Sequence, residues 1–220
     1  MMFLFVGHAT LCPTYKWITP HFSERGSCFV QFTTPAKEAF WAEKTGAPNQ
    51  ALLRKNMTAL RCTQKLLAAM KAAPSAPSAP GANRLGDWSL NLLHTRPKLV
   101  VAVSEHDRLG LVLEAAPYST LPQRFIEAVF MQLRAIGVPP DLARRECDAM
   151  QPLTITSTTP YANRLSLQAN LKDYAWQAEW MCGNSESLAA INARLADYIV
   201  SINGKLEYPW KFALNRLAAQ

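Results

Sequence analysis

A chain of 220 residues with 49% apolar and 18% charged side chains is not a wholesale disordered protein, and it is long enough for one well-buried domain or one domain plus an arm. The net charge is +7, but six of the 23 basic and three of the 16 acidic residues precede Met57, which leaves about +4 for the remainder. The Lys and Arg residues are dispersed, with Arg144-Arg145 the densest pair, a distribution that fits a solvated surface better than a nucleic-acid-binding face.

The first 56 residues differ in character from the rest. They hold six of the nine Phe, two of the six Trp and two of the four His. Met1–Val6 is too short for a membrane helix, which needs about 20 apolar residues, and it lacks the basic flank and cleavage site of a signal peptide. Residues 36–45 are expected to form a short helix ending at Gly46. Because regular periodicity begins only at Met57, residues 1–56 are expected to be a poorly structured N-terminal extension, or a start site placed too early. Residues 57–220 are expected to be a single α+β domain.

Met57–Cys62 reads as the opening strand. Thr63 is a candidate N-cap for a helix over Gln64–Ala72 with Leu66, Leu67 and Met70 on one face. Residues 74–81, rich in Pro, Ala and Ser, cannot continue it and read as an exposed loop. Three strand-like segments follow, Trp88–His94, Lys98–Ser104 and Leu109–Ala115. The polar tetrapeptide Glu105–Arg108 has hairpin length, so these segments suggest an antiparallel meander.

The second half is helical. Phe125, Ile126, Val129, Phe130, Leu133 and Ile136 define an amphipathic helix from about Pro122, terminated by Gly137 and Pro139-Pro140, with Phe130 expected in the core. Asp141 is expected to cap a helix over Leu142–Met150. Leu153–Thr158 is β-branched and suited to pairing with the sheet. Leu167, Leu171, Tyr174, Ala178 and Met181 mark a further helix. Leu188, Ile191, Leu195, Tyr198 and Ile199 mark another, with Ser185 and Ser187 as cap candidates, and residues 205–220 end in a short helix. Strands clustered before helices indicate α+β architecture, a small antiparallel sheet of about four or five strands packed against three or four amphipathic helices. No internal repeat is present.

Chemistry-bearing patterns are sparse. The five Cys are scattered without a CxxC, which argues against a zinc knuckle and suits buried apolar roles in a reducing cytoplasm, the expected location. His94 and His106 have no partner at metal-ligand spacing, and no cofactor is expected. Ser104-Glu105-His106-Asp107 holds triad residue types, but triads assemble from residues distant in sequence. The most distinctive tetrapeptide is Leu85-Gly86-Asp87-Trp88. It reads as a strand-entry turn with a core Trp, or as a pocket edge where Asp87 offers charge and Trp88 a stacking surface. The other distinctive pattern is Asn163-Arg164 followed by Asn170 and Asp173, in which Asn170 and Asp173 are expected to share a face with Leu167 and Arg164 either holds an anion or pairs with a nearby carboxylate. Asp87, Trp88, Asn163, Arg164 and Asp173 are therefore the ligand-binding candidates. No metal site is expected.

The segments Leu60-Arg61-Cys62-Thr63-Gln64-Lys65-Leu66-Leu67, Leu85-Gly86-Asp87-Trp88 and Asn163-Arg164 with Ser166-Leu167, Asn170 and Asp173 resemble a small bacterial family known only as a domain of unknown function. The resemblance covers roughly residues 57–180. Members of that family typically begin at the position of Met57, which implies the same boundary. The family favours a small residue, often Gly, where this chain has Gln168 or Ala169, so a close backbone approach in this helix is not implied. The resemblance carries a fold and a boundary but no mechanism. Two functions compete. One is a non-enzymatic binding or regulatory module, supported by the apolar richness of the two late helices. The other is a hydrolase or nuclease acting on a phosphate-bearing or nucleic-acid substrate, with Asp87 and Asp173 as carboxylates and Arg164 as an anion clamp. A protein partner or an anionic ligand is expected, and a membrane is not.

Overall fold

Strand β1 (Thr58–Cys62) lies inside the sheet rather than at its edge, and this placement organises the fold. The computed structural model describes residues 57–76, 81–158 and 165–219, all within one unit, Pro48–Gln220. The expected helix at 36–45, the expected N-terminal extension, and Asn163 and Arg164 lie outside the described residues.

Helix α1 (Gln64–Met70) follows β1, with Thr63 at its N-cap position and Lys71 closing it in the left-handed region at φ 52°. The Thr63 hydroxyl donates to Asn91 Oδ1 rather than capping the helix. Then come β2 (Trp88–Leu92), β3 (Leu99–Ser104) and β4 (Gly110–Glu114), which form the expected antiparallel meander. A 3₁₀ turn at Tyr118–Thr120 leads into α2 (Leu121–Ala135), and α3 (Pro140–Ala149) follows. Asp141 sits in the first turn of α3, one residue inside the Pro that starts it, and not at the cap. Strand β5 (Leu153–Ser157) precedes α4 (Leu165–Gly183) and α5 (Leu188–Ala196). Of the two cap candidates, Ser187 accepts from the Ala190 amide, and Ser185 instead takes a left-handed turn position at φ 60°. The C-terminal segment holds a hairpin, β6 (Val200–Ile202) and β7 (Lys205–Glu207), before α6 (Pro209–Ala218). Asn203 and Gly204 turn that hairpin with φ of 52° and 79°, the Asn-Gly chemistry of a tight two-residue turn.

The strand order is β4-β3-β2-β1-β5. The class is α+β, but the sheet is mixed and not antiparallel throughout, because β1 runs parallel to both β2 and β5. The reason is connection length. Thr63–Asp87 contains α1 and is long enough to return the chain to the starting end of the sheet, which a parallel crossover requires.

Alternation along the strands sends side chains to two faces. On one face Leu60, Cys62, Trp88, Leu90, Val100 and Leu111 pack against Leu66 of α1, Phe125, Val129 and Leu133 of α2, Cys147 of α3 and Leu217 of α6. Phe125, fully buried, meets the Trp88 ring edge-on at 5.2 Å. Phe130, expected in the core, is only half-buried. It sits at the margin of the apolar stripe, where the Arg144 guanidinium lies 5.5 Å from its ring centroid. On the other face Leu99, Val101, Val103 and Val112 receive Leu167, Leu171, Tyr174 and Met181 of α4 and Ile191 and Leu195 of α5. The register continues that face across the parallel half of the sheet, but there it becomes polar. Ser89 stands opposite Val103, Arg61 opposite Ser89, and Thr156 opposite Arg61.

Candidate functional site

The turn before β2 is a knot of backbone and side-chain bonds. Gly86 takes φ +77°, and a Cβ there would lie 3.0 Å from the His106 ring, so conformation and space both select Gly. The Leu85 amide donates to Glu146 Oε1 of α3 at 2.8 Å, and Asn83 Nδ2 donates to the Gly86 carbonyl at 2.7 Å. The amides of Glu105 and His106, in the turn between β3 and β4, donate to the carbonyls of Asp87 and Leu85. Asp87 itself accepts from the Ala59 amide at 2.9 Å through Oδ1 and from Arg61 Nη2 at 2.5 Å through Oδ2. The tetrapeptide thus ties β1, the β3–β4 turn and α3 to the start of β2. Trp88 is fully buried in the first core and presents no face to a ligand.

Two further polar groups lie at the same end of the sheet. Asp107 is fully buried and accepts from Arg216 Nε of α6 at 2.7 Å. Burial raises its carboxyl above the ordinary value, against the lowering effect of Arg216. The Tyr174 hydroxyl of α4 donates to the Arg108 carbonyl at 3.0 Å, and its ring covers Gly110, where an added Cβ would stand 2.8 Å away. Burial drives the Tyr174 phenol well above its usual pKa. In the polar strip Arg61 Nε and Thr156 Oγ1 are buried and have no hydrogen-bond partner among the described residues.

A cavity of about 280 Å³ opens between residues 82–84, α3 and α6, with Arg84, Arg145 and Glu146 in its lining. Two of these charged groups already serve the fold. Arg84 Nη1 donates to the Arg216, Leu217 and Ala219 carbonyls at the end of α6, and Glu146 holds the Leu85 amide. Burial pushes the thiols of Cys62 and Cys147 up to about 12, so both stay protonated and unreactive at neutral pH. Among the described residues no three His, Cys, Asp or Glu side chains converge as a metal site, and no helix is long and apolar enough to cross a membrane.

Helix α4 is apolar on two opposite faces. Leu167, Leu171, Tyr174, Ala178 and Met181 are buried against the sheet. On the far side Leu165, Trp176 and Trp180 are 73%, 66% and 55% exposed, alongside exposed Ala169, Lys172 and Asp173. Each residue advances about 100° around a helix, so a step of three moves a side chain back by about 60°. Asn170 and Asp173 therefore fan away from Leu167 instead of sharing its face. Leu167 is buried, Asn170 half-buried and Asp173 exposed. The candidates thus separate. Asp87 and Trp88 belong to the interior knot, Asp173 belongs to the outer face of α4, and Asn163 and Arg164 lie outside the described residues. Trp176 and Trp180, which the sequence reading did not single out, carried a signal there. They are four apart and out of phase with the core stripe.

Comparison with curated proteins and with solved structures finds no match. A family model described as a domain of unknown function, DUF6933, matches residues 59–212, from the first strand into the last helix, and the chain belongs to that family.

Proposed function

We propose that the domain is a non-enzymatic binding module that engages a protein partner through the outer face of α4. The observation that carries this reading is the pair of exposed tryptophans, Trp176 and Trp180, on a helix whose opposite face is already committed to the core. A helix apolar on both sides belongs between two surfaces, and here one of them is the sheet. Large exposed aromatic groups at helical spacing are the side chains that dominate interface energetics, because each removes much apolar area from water at little entropic cost. Other exposed apolar residues, such as Met131 and Leu206, fall on separate elements and form no comparable stripe.

The hydrolase or nuclease alternative draws less support. It needs the carboxylates of Asp87 and Asp173 in one cleft. Asp87 is buried and already engaged by Arg61 and the Ala59 amide, whereas Asp173 is exposed on the outer face of α4.

The reading is tested by replacing Trp176 with a photo-crosslinking amino acid in cells that express the protein natively, with position 131 as an exposed apolar control. Adducts at position 176 that are absent at position 131 are the expected result. Equal labelling at both positions, or none at either, sinks the proposal.

A further inference from the structure

We infer that the cavity between residues 82–84, α3 and α6 is a binding site for a small zwitterion, a free α-amino acid with an aliphatic side chain. None of the lining residues lies on α4, so the inference is independent of the binding-module reading above.

Helix α3 supplies much of the lining. Leu142, Arg145, Glu146 and Ala149 stand at i, i+3, i+4 and i+7, which is one face of a helix. The two charged members have opposite signs and different freedom. Glu146 is only 4% exposed, and its Oε1 is tied to the Leu85 amide at 2.8 Å, so its carboxylate is held in one place. Its Oε2 has no hydrogen bond among the described residues. Arg145 is exposed and has neither a hydrogen bond nor an ion pair among the described residues. Arg84 commits Nη1 to three carbonyls at the end of α6, which fixes the guanidinium, while its Nε and Nη2 have no partner among the described residues.

One fixed donor fork and one free fork suit a carboxylate, which a guanidinium meets with two parallel hydrogen bonds. A simple anion is a poorer fit, because the fixed Glu146 carboxylate repels it. A ligand with a cation beside its carboxylate turns that repulsion into an ion pair, and the α-ammonium of an amino acid stands on the carbon next to its carboxylate. The rest of the lining, Leu142, Ala149 and Leu217, is apolar and suits an aliphatic side chain. The cavity volume of about 280 Å³ lies at the low end of the range for ligand pockets, about 300 to 1,000 Å³, which favours a ligand of amino-acid size over a nucleotide.

Backbone-amide NMR on the full chain, titrated with L-leucine to about 10 mM, tests this, with thermal melts to confirm that each variant is folded. Leucine is expected to give saturable shifts at the cavity, with the amides of Arg84, Arg145 and Ala149 among those that move. Isocaproate lacks the ammonium and isopentylamine lacks the carboxylate. Each is expected to bind at least about tenfold more weakly than leucine, as the loss of a charged hydrogen-bonding group requires. Arg145→Ala, on an exposed position, is expected to weaken leucine binding by at least about tenfold. Arg145→Lys keeps the charge without the fork and is expected to fall between that variant and the wild type. Glu146→Gln keeps an oxygen for the Leu85 amide and removes the charge, so it is expected to erase the preference for leucine over isocaproate. The absence of saturable shifts with leucine, or shifts confined to other parts of the chain, overturns the inference. So does leucine binding that Arg145→Ala leaves unchanged. Isocaproate that binds the wild type as tightly as leucine also overturns it, because the cavity then takes a simple anion.

Discussion

Arg61 on β1 and Asp87 at the mouth of β2 form an ion pair across neighbouring parallel strands, with both side chains nearly withdrawn from solvent. Asp87 also takes the Ala59 amide, so one carboxylate holds two points on β1. Removing one partner of a buried pair leaves the other charge without compensation, at a cost of about 3–5 kcal/mol. Asp87→Ala is expected to lose that much in urea denaturation. A loss below about 1 kcal/mol would show that the pair is solvated enough to be dispensable.

Phe125 and Phe130 share α2 but differ in enclosure. Phe125→Ala deletes the ring that meets Trp88 in the core and is expected to cost about 3–5 kcal/mol. Phe130→Ala removes a half-buried ring facing Arg144 and is expected to cost clearly less. Chemical denaturation of the two variants side by side gives the order, and a reversal would misplace the core.

Asp107 should give a pH signature. Burial raises its folded-state carboxyl above the ordinary 3.8, so the folded state favours the neutral form. The stability this contributes is fully present below 3.8 and is lost as pH rises through the raised value. Asp107→Asn fixes the neutral form and keeps an oxygen for Arg216. Its melting temperature relative to wild type is therefore expected to climb between about pH 3 and about pH 7. A relative stability that falls over that window would mean that Arg216 outweighs burial.

We propose that the domain folds without residues 1–56, as the change of sequence character at Met57 suggests. A chain beginning at Met57 is expected to stay in solution and to melt cooperatively near the temperature of the full chain. Aggregation on truncation would place the Phe-rich segment in the structural core.

Most of the helices and the β2–β3–β4 meander were legible because their signals are local: periodicity, a Ser cap at Ser187, and the turn at Gly137. The parallel strands were not, because strand direction depends on where a connection ends in space and not on strand composition. The β6–β7 hairpin was legible in principle from Asn203-Gly204, but its strands are only three residues long and follow a helix without a break in apolar spacing. At the site, the turn chemistry of Gly86 and Asp87 was readable. That Asp87 reaches back to Arg61 and Ala59 was not, since they stand 26 and 28 positions earlier. On α4 the phase of Trp176 and Trp180 was present in the sequence, whereas their exposure required knowing which face the sheet occupies.

The anchoring of α6 has a consequence for how the protein is made. Arg216 neutralises a carboxylate laid down 109 positions earlier, and Arg84 holds the last turn of the same helix. Strand β1, near the start of the described chain, waits for β5 before its second edge is paired. The β2–β3–β4 meander can pair early, whereas β1 and the first core are completed only by the later β5 and α6. Until Arg216 emerges from the ribosome, Asp107 lacks its counter-charge and the first core lacks Leu217. Until those late elements arrive, the apolar positions of β1 stay uncovered, and uncovered apolar strands are where aggregation starts.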